Sequence, residues 1–367
     1  MLASSYIIKK FEVFMGDSYH ALADYLNSMP NGFPRTETGI ELQLLKKIFT
    51  HDDAELFCKL TLKKETVEQI AARTGLDKEY LSHHLESMWN RGPIECHSIG
   101  NTKTYNAVPW ILSIYELQQK FIDEEFARLH AKYIKSVGPY FLTPKPQIMQ
   151  VIPIEQHIKS NSSPMPYEQL SVILNECKSF AVNECICKKQ TALLNRGCNK
   201  PREVCLSISQ LPNYFDNHPH AGRIITKEEA LSILKMAEDA ALVHMTANIQ
   251  EGHYFICNCC GCCCVQLIAA RFGMPQTVNA HYRAAINTEL CTQCGTCETR
   301  CQIQAIQNNE GVRSIVQHKC IGCSLCVSTC PNQAITLIHK DQSQDTLPPK
   351  NQDDWYKEKM RSRNSGI

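Results

Sequence analysis

The sequence has 367 residues, enough for two or three domains, and its 43% hydrophobic and 20% charged residues are ordinary for a globular protein. Its formal net charge of +1 excludes the global charge surplus that directs proteins to nucleic acid or a membrane surface. No apolar run is long enough to span a bilayer, and the N-terminus lacks the apolar core of a secretory signal. We therefore expect a cytoplasmic protein without a membrane span.

The abnormal feature is the presence of 21 cysteines, most of them in tight clusters. A secreted disulfide framework is one explanation, but disulfide frameworks suit small domains exported to oxidising compartments. The close spacing here is typical of metal ligands instead. The sequence favours reduced thiolates in a reducing, anaerobic cytoplasm.

Residues 1–135 predict helices followed by a hairpin. Thr66 and Gln69 fit a capping box at the start of a short helix that Gly75 ends. Two extended runs, 94–99 and 102–107, are joined by Gly100-Asn101, a two-residue hairpin signal. The apolar positions at helical spacing are Ile40, Leu44, Leu45, Ile48, Val67, Ile70, Leu81, Leu85 and Met88.

Three helices followed by a hairpin resemble the winged helix-turn-helix family, and this resemblance implies a DNA-binding third helix. That helix, DKEYLSHHLESMWNRG, is nearly balanced in charge, whereas a DNA reader has a net basic surface. We therefore expect a protein-docking or structural role, with DNA binding as the alternative. The charged and histidine positions of this helix are Asp77, Lys78, Glu79, His83, His84, Glu86 and Arg91.

Residues 140–282 are predicted to form a cysteine-rich helical region, joined to the first by a proline-spaced linker at 143–156. An amphipathic helix that begins with a Thr226/Glu229 capping box is interpreted as scaffold. The ten thiols between residues 185 and 264 exceed what one tetrahedral ion can use, so we expect at least one additional iron–sulfur cluster. The candidate ligands are Cys185, Cys187, Cys198, Cys205, Cys257, Cys259 and Cys260.

Two resemblances support a cluster in this region. The Cys185, Cys198 and Cys205 grouping resembles cluster-binding loops of larger anaerobic iron–sulfur oxidoreductases. Cys-Cys-Gly within CNCCGCCC resembles the motif of heterodisulfide-reductase-type subunits, which hold noncubane clusters. Adjacent residues of an extended chain point in opposite directions, so only three or four of these six cysteines are expected to be ligands. A zinc site and a thiol-only role are the alternatives.

Residues 283–340 contain two strings with the spacing C-x2-C-x2-C-x3-C, the second followed by Pro331. The first string is Cys291, Cys294, Cys297 and Cys301, and the second string is Cys320, Cys323, Cys326 and Cys330. They resemble the bacterial two-cluster ferredoxins, whereas zinc sites use two separated pairs. Three cysteines curl around one cluster while the fourth faces the other, which predicts two [4Fe–4S] clusters with crossed ligands. One takes Cys291, Cys294, Cys297 and Cys330, and the other takes Cys320, Cys323, Cys326 and Cys301.

The expected fold class is therefore α+β, with a winged-helix-like N-terminal domain, a cysteine-rich helical middle region and a C-terminal ferredoxin-type domain. Residues 341–367 are expected to be an exposed polar tail. We predict an electron-transfer protein, or an oxidoreductase subunit, that passes low-potential electrons between redox partner proteins. No catalytic residue is predicted. A redox-sensing DNA-binding regulator and a reductase with a catalytic middle cluster are the alternatives.

Overall fold

The structure is a computed structural model that describes residues 18–100, 102–154, 165–340 and 347–365. The chain divides into two compact units, Met1–Phe141 and Leu142–Ile367. Helices and strands occur together in both, so the fold is α+β as expected. Among the described residues, no helix has the length and apolar character needed to cross a membrane.

The first unit is mainly helical. An irregular turn at Trp110–Ile114 and short helical turns at Tyr115–Leu117 and Gln118–Lys120 connect its hairpin to a long final helix. Its elements are α1 Ser18–Ser28, α2 Ile40–Ile48, α3 His51–Phe57, α4 Val67–Thr74, α5 Lys78–Arg91, β1 Glu95–Ile99, β2 Thr102–Asn106 and α6 Glu124–Leu142.

Local signals set the ends of α4. Thr66 and Gln69 form the predicted reciprocal capping box, and Gly75 ends the helix with a φ of 72°. Strands β1 and β2 pair from Glu95 opposite Asn106, so the predicted hairpin is present. The element order matches the winged-helix pattern. Membership in that family remains a prediction, since the order of elements is shared by other small folds.

The second unit is built on a sheet. Short 3-10 turns lie at Pro166–Glu168 and Pro275–Thr277. Its elements are β3 Met149–Val151, α7 Leu170–Glu176, β4 Ser179–Glu184, α8 Ile186–Leu193, β5 Glu203–Ser209, β6 Arg223–Ile225, α9 Lys227–Asp239, β7 Val243–Ala247, β8 Phe255–Cys259, α10 Val265–Arg271, β9 Val278–Asn279, β10 Tyr282–Ile286, α11 Thr296–Arg300, β11 Ile306–Asn309, β12 Val312–Ile315, β13 Ile335–His339 and α12 Gln352–Ser365.

Seven strands form one sheet in the order β6-β4-β5-β8-β7-β3-β9, antiparallel except for the β3–β9 pair. The expectation of a helical middle region was therefore wrong. Strand β3 lies within the predicted linker at 143–156, and its three residues are all buried. Helix α9 packs its buried Ala230, Leu234 and Ala237 into the core, as the scaffold interpretation required.

The expected exposed tail was also wrong for the described part of residues 341–367. Helix α12 buries Trp355, whose indole N–H donates to the Gln147 carbonyl at 2.8 Å. The buried ammonium of Lys359 donates to the carbonyls of Pro144 and Pro146. Burial lowers the pKa of Lys359 to about 7. The polar composition of this segment predicts exposure, but Trp355 and Lys359 are buried and attach the segment to the rest of its unit.

Candidate metal centres

The two ferredoxin strings adopt the same backbone conformation twice. Left-handed residues recur at equivalent positions, 29 residues apart: Gln293 and Gly322, Gly295 and Ser324, Gln304 and Gln333. Strand β10 pairs with β13 and β11 pairs with β12, so two hairpins frame the loops. The cysteine spacing therefore reflects a structural repeat, in which each string bends in the same way.

Gly322 is required by a close approach rather than by its φ alone. A Cβ at Gly322 would lie 2.3 Å from the Tyr282 carbonyl oxygen, well inside van der Waals contact. Its counterpart Gln293 has nearly the same φ, 58° against 61°, yet carries a side chain. The second string is thus packed tightly against β10.

Backbone amides point at the sulfur atoms. Ala305 N–H donates to Cys301 Sγ at 3.1 Å and Ala334 N–H donates to Cys330 Sγ at 3.3 Å, at equivalent positions of the repeat. A third amide, Ala284 N–H, donates to Cys320 Sγ at 3.3 Å. Hydrogen bonds from these N–H groups favour the thiolate form of the cysteines, and ligand sulfurs of iron–sulfur clusters accept hydrogen bonds of the same kind. The residues of both strings therefore fit [4Fe–4S] ligation.

Apolar side chains cover the strings, as predicted. Five of the eight string cysteines belong to a small core with apolar residues from strands β10 to β13, namely Cys297, Cys301, Cys320, Cys326 and Cys330. The covering residues predicted from the sequence, Ile303, Ala305, Ile306, Ala334 and Ile335, are all buried. Solvent exposure of the sulfurs is one of the factors that set a cluster's potential, and here it ranges from the exposed Cys294 to the buried Cys297.

Cys301 lies near the second string. Burial, followed by the charge of Cys320, raises the pKa of Cys301. Burial also raises the pKa of Cys323 to about 12, with contributions from Cys301 and Cys320. This proximity is compatible with Cys301 as the fourth ligand of the second cluster. The crossed ligand assignment as a whole remains a prediction.

In the middle region, four thiols form a compact group, which we call the four-thiol site. Its Sγ atoms all lie within 4.8 Å of one another. Cys198 Sγ is 3.9 Å from Cys260 Sγ and 3.7 Å from Cys263 Sγ, and Cys262 Sγ is 3.8 Å from Cys263 Sγ. The Cys263 thiol, in contact with Cys260, lowers the pKa of Cys260 to about 5. One thiolate is thus favoured within the group.

Six further thiols of this region, apart from the separate Cys177, form a second group, the six-thiol chain. Pairwise thiol interactions connect them in the order Cys264, Cys259, Cys257, Cys205, Cys185 and Cys187. Neighbouring strands β5 and β8 carry three of them, while Cys185 and Cys264 each precede a helix. Interactions from Cys187 and Cys205 lower the pKa of Cys185. The six thiols are therefore connected in a row, whereas the thiols of the four-thiol site all lie close to one another.

The seven candidate ligands from the sequence therefore divide between two groups. Cys198 and Cys260 belong to the four-thiol site, and the other five belong to the six-thiol chain. Cys262, Cys263 and Cys264 lie outside the predicted ligand set, because in an extended run adjacent side chains point in opposite directions. The signal was Gly261: the amide of Cys264 bonds back to the Cys260 carbonyl at 3.1 Å, so the chain turns there.

A buried lysine lies between the two groups. The Lys188 ammonium donates to the carbonyls of Pro201 and Asn258, at 2.8 and 3.3 Å. Its charge contributes to lowering the pKa values of both Cys185 and Cys260. A buried charge needs compensation, and thiolates in the two groups supply it. The charge of Lys188 therefore makes the surroundings of these cysteines electrostatically suited to anionic sulfur.

The cysteine run also contacts the ferredoxin domain directly. Gly261 N–H donates to Gln302 Oε1 at 3.1 Å, and a Cβ at Gly261 would lie 1.9 Å from the Gln302 carbonyl oxygen. Gln302 follows Cys301 in the first string, where the second string has Pro331. The guanidinium of Arg300 adds bonds of 2.8 and 2.7 Å to the carbonyls of Asp239 and Glu238. The departure from proline at 302 therefore has a structural use.

The two histidines beside the cysteine run have local partners. His244 Nδ1 lies 2.5 Å from Asn258 Oδ1, and His253 Nδ1 lies 3.2 Å from Thr246 Oγ1. Burial lowers the pKa of His253 to about 4, so it is neutral near pH 7. Neither needs a metal to explain its position.

In the first unit, ion pairs occupy Arg91 of the predicted recognition helix and Lys103 of the hairpin. Arg91 donates to both Asp53 carboxylate oxygens, at 2.9 and 2.8 Å. Lys103 bonds to Glu86 at 2.8 Å and lies over the Trp89 ring. Burial opposes ionisation of Asp53, but the bonds from Arg91 and Thr50 prevail and lower its pKa to about 2.

Comparison with known proteins identifies the ferredoxin region. Residues 284–337 match the family described as the 4Fe-4S dicluster domain. The chain is 32% identical over 76 residues to a ferredoxin of Pyrobaculum islandicum, covering 20% of this chain and 67% of that protein. It is 34% identical over 62 residues to pyruvate synthase subunit PorD of Methanocaldococcus jannaschii, covering 17% and 72%. These matches support two [4Fe–4S] clusters in this domain.

A further relative shares a smaller part. The chain is 43% identical over 47 residues to one of the subunits of the ion-translocating oxidoreductase complex of Methanosarcina acetivorans. That stretch covers 13% of this chain and 18% of the relative, so this chain spans under a fifth of that protein. All three similarities support an iron–sulfur electron-transfer role for the region that they cover.

Proposed function

The chain belongs to the ferredoxins with a 4Fe-4S dicluster domain, and on this premise we propose that it passes low-potential electrons between redox partner proteins. The observation that carries the proposal is the repeated geometry of the two strings, with amide N–H groups aimed at their sulfurs. A [4Fe–4S] cluster held by four thiolates supplies reversible one-electron chemistry. The protein's part is to hold the thiolates, donate hydrogen bonds to them and exclude water.

We further propose that the six-thiol chain binds an additional iron–sulfur cluster. Among the residues that the structure describes, no three of its sulfurs lie mutually within 4.8 Å, so they are too dispersed for one ion. Lys188 places a positive charge beside them, which favours an anionic cluster. The Gly261–Gln302 contact joins this cysteine-rich region to Cys301, which supports electron passage between the two regions.

Iron and sulfide analysis tests the additional cluster. The full chain, purified and reconstituted without oxygen, should contain about eight irons from the dicluster domain and about four more from a third cubane. Cys205→Ser should remove the additional irons and an equal amount of sulfide. Cys177→Ser is the matched control, because Cys177 is buried in the same unit and its thiol donates to the Ile173 carbonyl of the preceding helix. No more than about eight irons in the parent chain would refute the proposal.

Redox titration tests the electron-transfer role itself. Followed by EPR without oxygen, the dicluster domain should show reversible one-electron reduction at low potential. Reversible exchange with a low-potential carrier protein should follow. Clusters that assemble fully but do not reduce and reoxidise reversibly would contradict electron transfer while leaving the ligands correct.

The first unit is proposed to dock a protein partner. The relatives named as subunits of larger complexes are similar to only 13% and 17% of this chain, so they support a redox partner for the chain and not a role of this unit. A DNA-binding role is disfavoured, because Arg91 and Lys103 are paired with Asp53 and Glu86 inside the unit. Contacts between basic side chains and phosphates dominate DNA affinity, and of the three basic residues considered only Lys78 is left to make such a contact. The reduced thiols favour an anaerobic cytoplasm as the setting.

DNA binding gives the discriminating measurement. Duplex DNA should bind weakly at physiological salt in both redox states, and Lys78→Ala should change that affinity little. Tight, sequence-selective binding that falls steeply with salt and is lost in Lys78→Ala would make the redox-sensing regulator the better account.

A further inference from the structure

We propose that Cys198, Cys260, Cys262 and Cys263 bind a single tetrahedral metal ion, zinc or iron, separate from every iron–sulfur cluster of the chain. The four sulfurs are mutually close, with no member outside 4.8 Å of any other. Four mutually close thiols are the donor set that a single tetrahedral ion uses. The proposal does not depend on the electron-transfer role.

The sulfur separations have the size that such an ion requires. A metal–thiolate bond of about 2.3 Å in tetrahedral geometry places neighbouring sulfurs about 3.8 Å apart. Three edges of this group measure 3.7, 3.8 and 3.9 Å. A disulfide would bring two sulfurs to about 2.0 Å, so these contacts are not disulfides.

The other cysteines of the chain provide an internal comparison. Within the described ranges, neither the eight cysteines of the two strings nor the six-thiol chain contains three sulfurs mutually within 4.8 Å. A cubane places several irons and sulfides between its ligands, which keeps the thiolates apart. The four-thiol site is compact where the cluster strings are not. This contrast favours one ion over a polynuclear cluster.

The local fold explains how three ligands come from one short run. The amides of Cys263 and Cys264 both bond back to the Cys260 carbonyl, at 3.4 and 3.1 Å, so the chain turns at Gly261. This turn brings the sulfurs of Cys260, Cys262 and Cys263 to one side. The Thr191 hydroxyl lies 3.1 Å from Cys263 Sγ, in position to donate to a metal-bound thiolate.

The chemistry of the set indicates the role. Four protein thiolates close a tetrahedral site and leave no position for substrate, which is typical of a structural ion. Tetrahedral S4 coordination is used by zinc and by iron. Either ion would hold the turn at Gly261 against Gln302 and so fix the cysteine run on the ferredoxin domain. Cys262 is exposed, which gives the ion access from solvent.

Metal analysis of the full chain tests the proposal. Protein purified without oxygen should contain one zinc, or one iron without accompanying sulfide, beyond its clusters. Cys262→Ser should lose that one ion and no inorganic sulfide, while Cys177→Ser should keep it. The zinc count and the iron excess over sulfide distinguish the two ions. The clusters of the dicluster domain contain inorganic sulfide, whereas this site does not. A loss of those clusters therefore lowers the sulfide content, and a loss of this ion does not.

Cobalt substitution gives a second measurement. Co²⁺ incorporated at this position should show the visible absorption of a tetrahedral tetrathiolate site, absent in Cys262→Ser. The proposal would be overturned if Cys262→Ser lost about four irons together with sulfide, since the four thiols would then serve a cluster. It would equally be overturned if parent and variant contained no ion beyond their clusters.

Discussion

Replacing Gly322 with alanine tests whether the second string depends on its close contact with β10. Gly322 has a φ of 61°, and a Cβ there would lie 2.3 Å from the Tyr282 carbonyl oxygen. Alanine in the left-handed region costs about 1–2 kcal/mol. Overpacking against a neighbour adds about 1–3 kcal/mol, so we expect a loss of about 2–5 kcal/mol in the free energy of unfolding.

The clash should also reach the cluster. Ala284 N–H, two residues after Tyr282, donates to Cys320 Sγ, so a displaced β10 weakens a bond to a ligand. We expect Gly322→Ala to lose about four irons per chain on anaerobic iron and sulfide analysis. Denaturant unfolding of the full chain measures the stability term.

Gly311→Ala is the matched control. Gly311 lies in the turn between β11 and β12 of the same domain, with a φ of 89°, and a Cβ there would meet nothing within 4 Å. It should show the backbone cost of about 1–2 kcal/mol and keep its iron. If Gly322→Ala kept full iron and matched Gly311→Ala in stability, the contact with Tyr282 would not constrain the second string.

Two further predictions concern a carboxylate and a ligand. Asp53→Asn should lower the free energy of unfolding by about 2 kcal/mol at neutral pH, because the pKa of Asp53 is lowered to about 2 in the folded state. This stabilisation is fully present at pH values above the ordinary aspartate pKa of about 3.9, and it is lost as the pH falls towards 2. Chemical denaturation between pH 7 and pH 2 checks this against exposed Asp52→Asn, and equal losses in both would contradict it. Cys301→Ala should disturb the cluster of the second string in EPR spectra, since Cys301 lies near Cys320 and Cys323. A change confined to the cluster of the first string would show that the crossed assignment is wrong.

The ferredoxin domain was accessible from the sequence because its ligands are local. Three of the four cysteines of each string lie within one short loop, so spacing alone restricts the geometry. The capping box at Thr66 and Gln69 was accessible for the same reason, since both partners lie within one helical turn. Where the residues that form a feature are close neighbours in the sequence, the pattern of residue types is enough to predict that feature.

The middle cysteines could not be divided from the sequence. Cys198 meets Cys260 across 62 positions of chain, and this depends on how the strands of the sheet pair and where the helices cross them. The same limit hid Trp355, which bonds to Gln147 across 208 positions, and Arg91, whose charge is paired with Asp53. The sequence by itself determined the spacing of the two ferredoxin strings and which helix ends are capped, because those depend on local geometry. Only the tertiary structure decided which thiols share a site and which charges remain free, because distant side chains meet only after the sheet and its helices have packed.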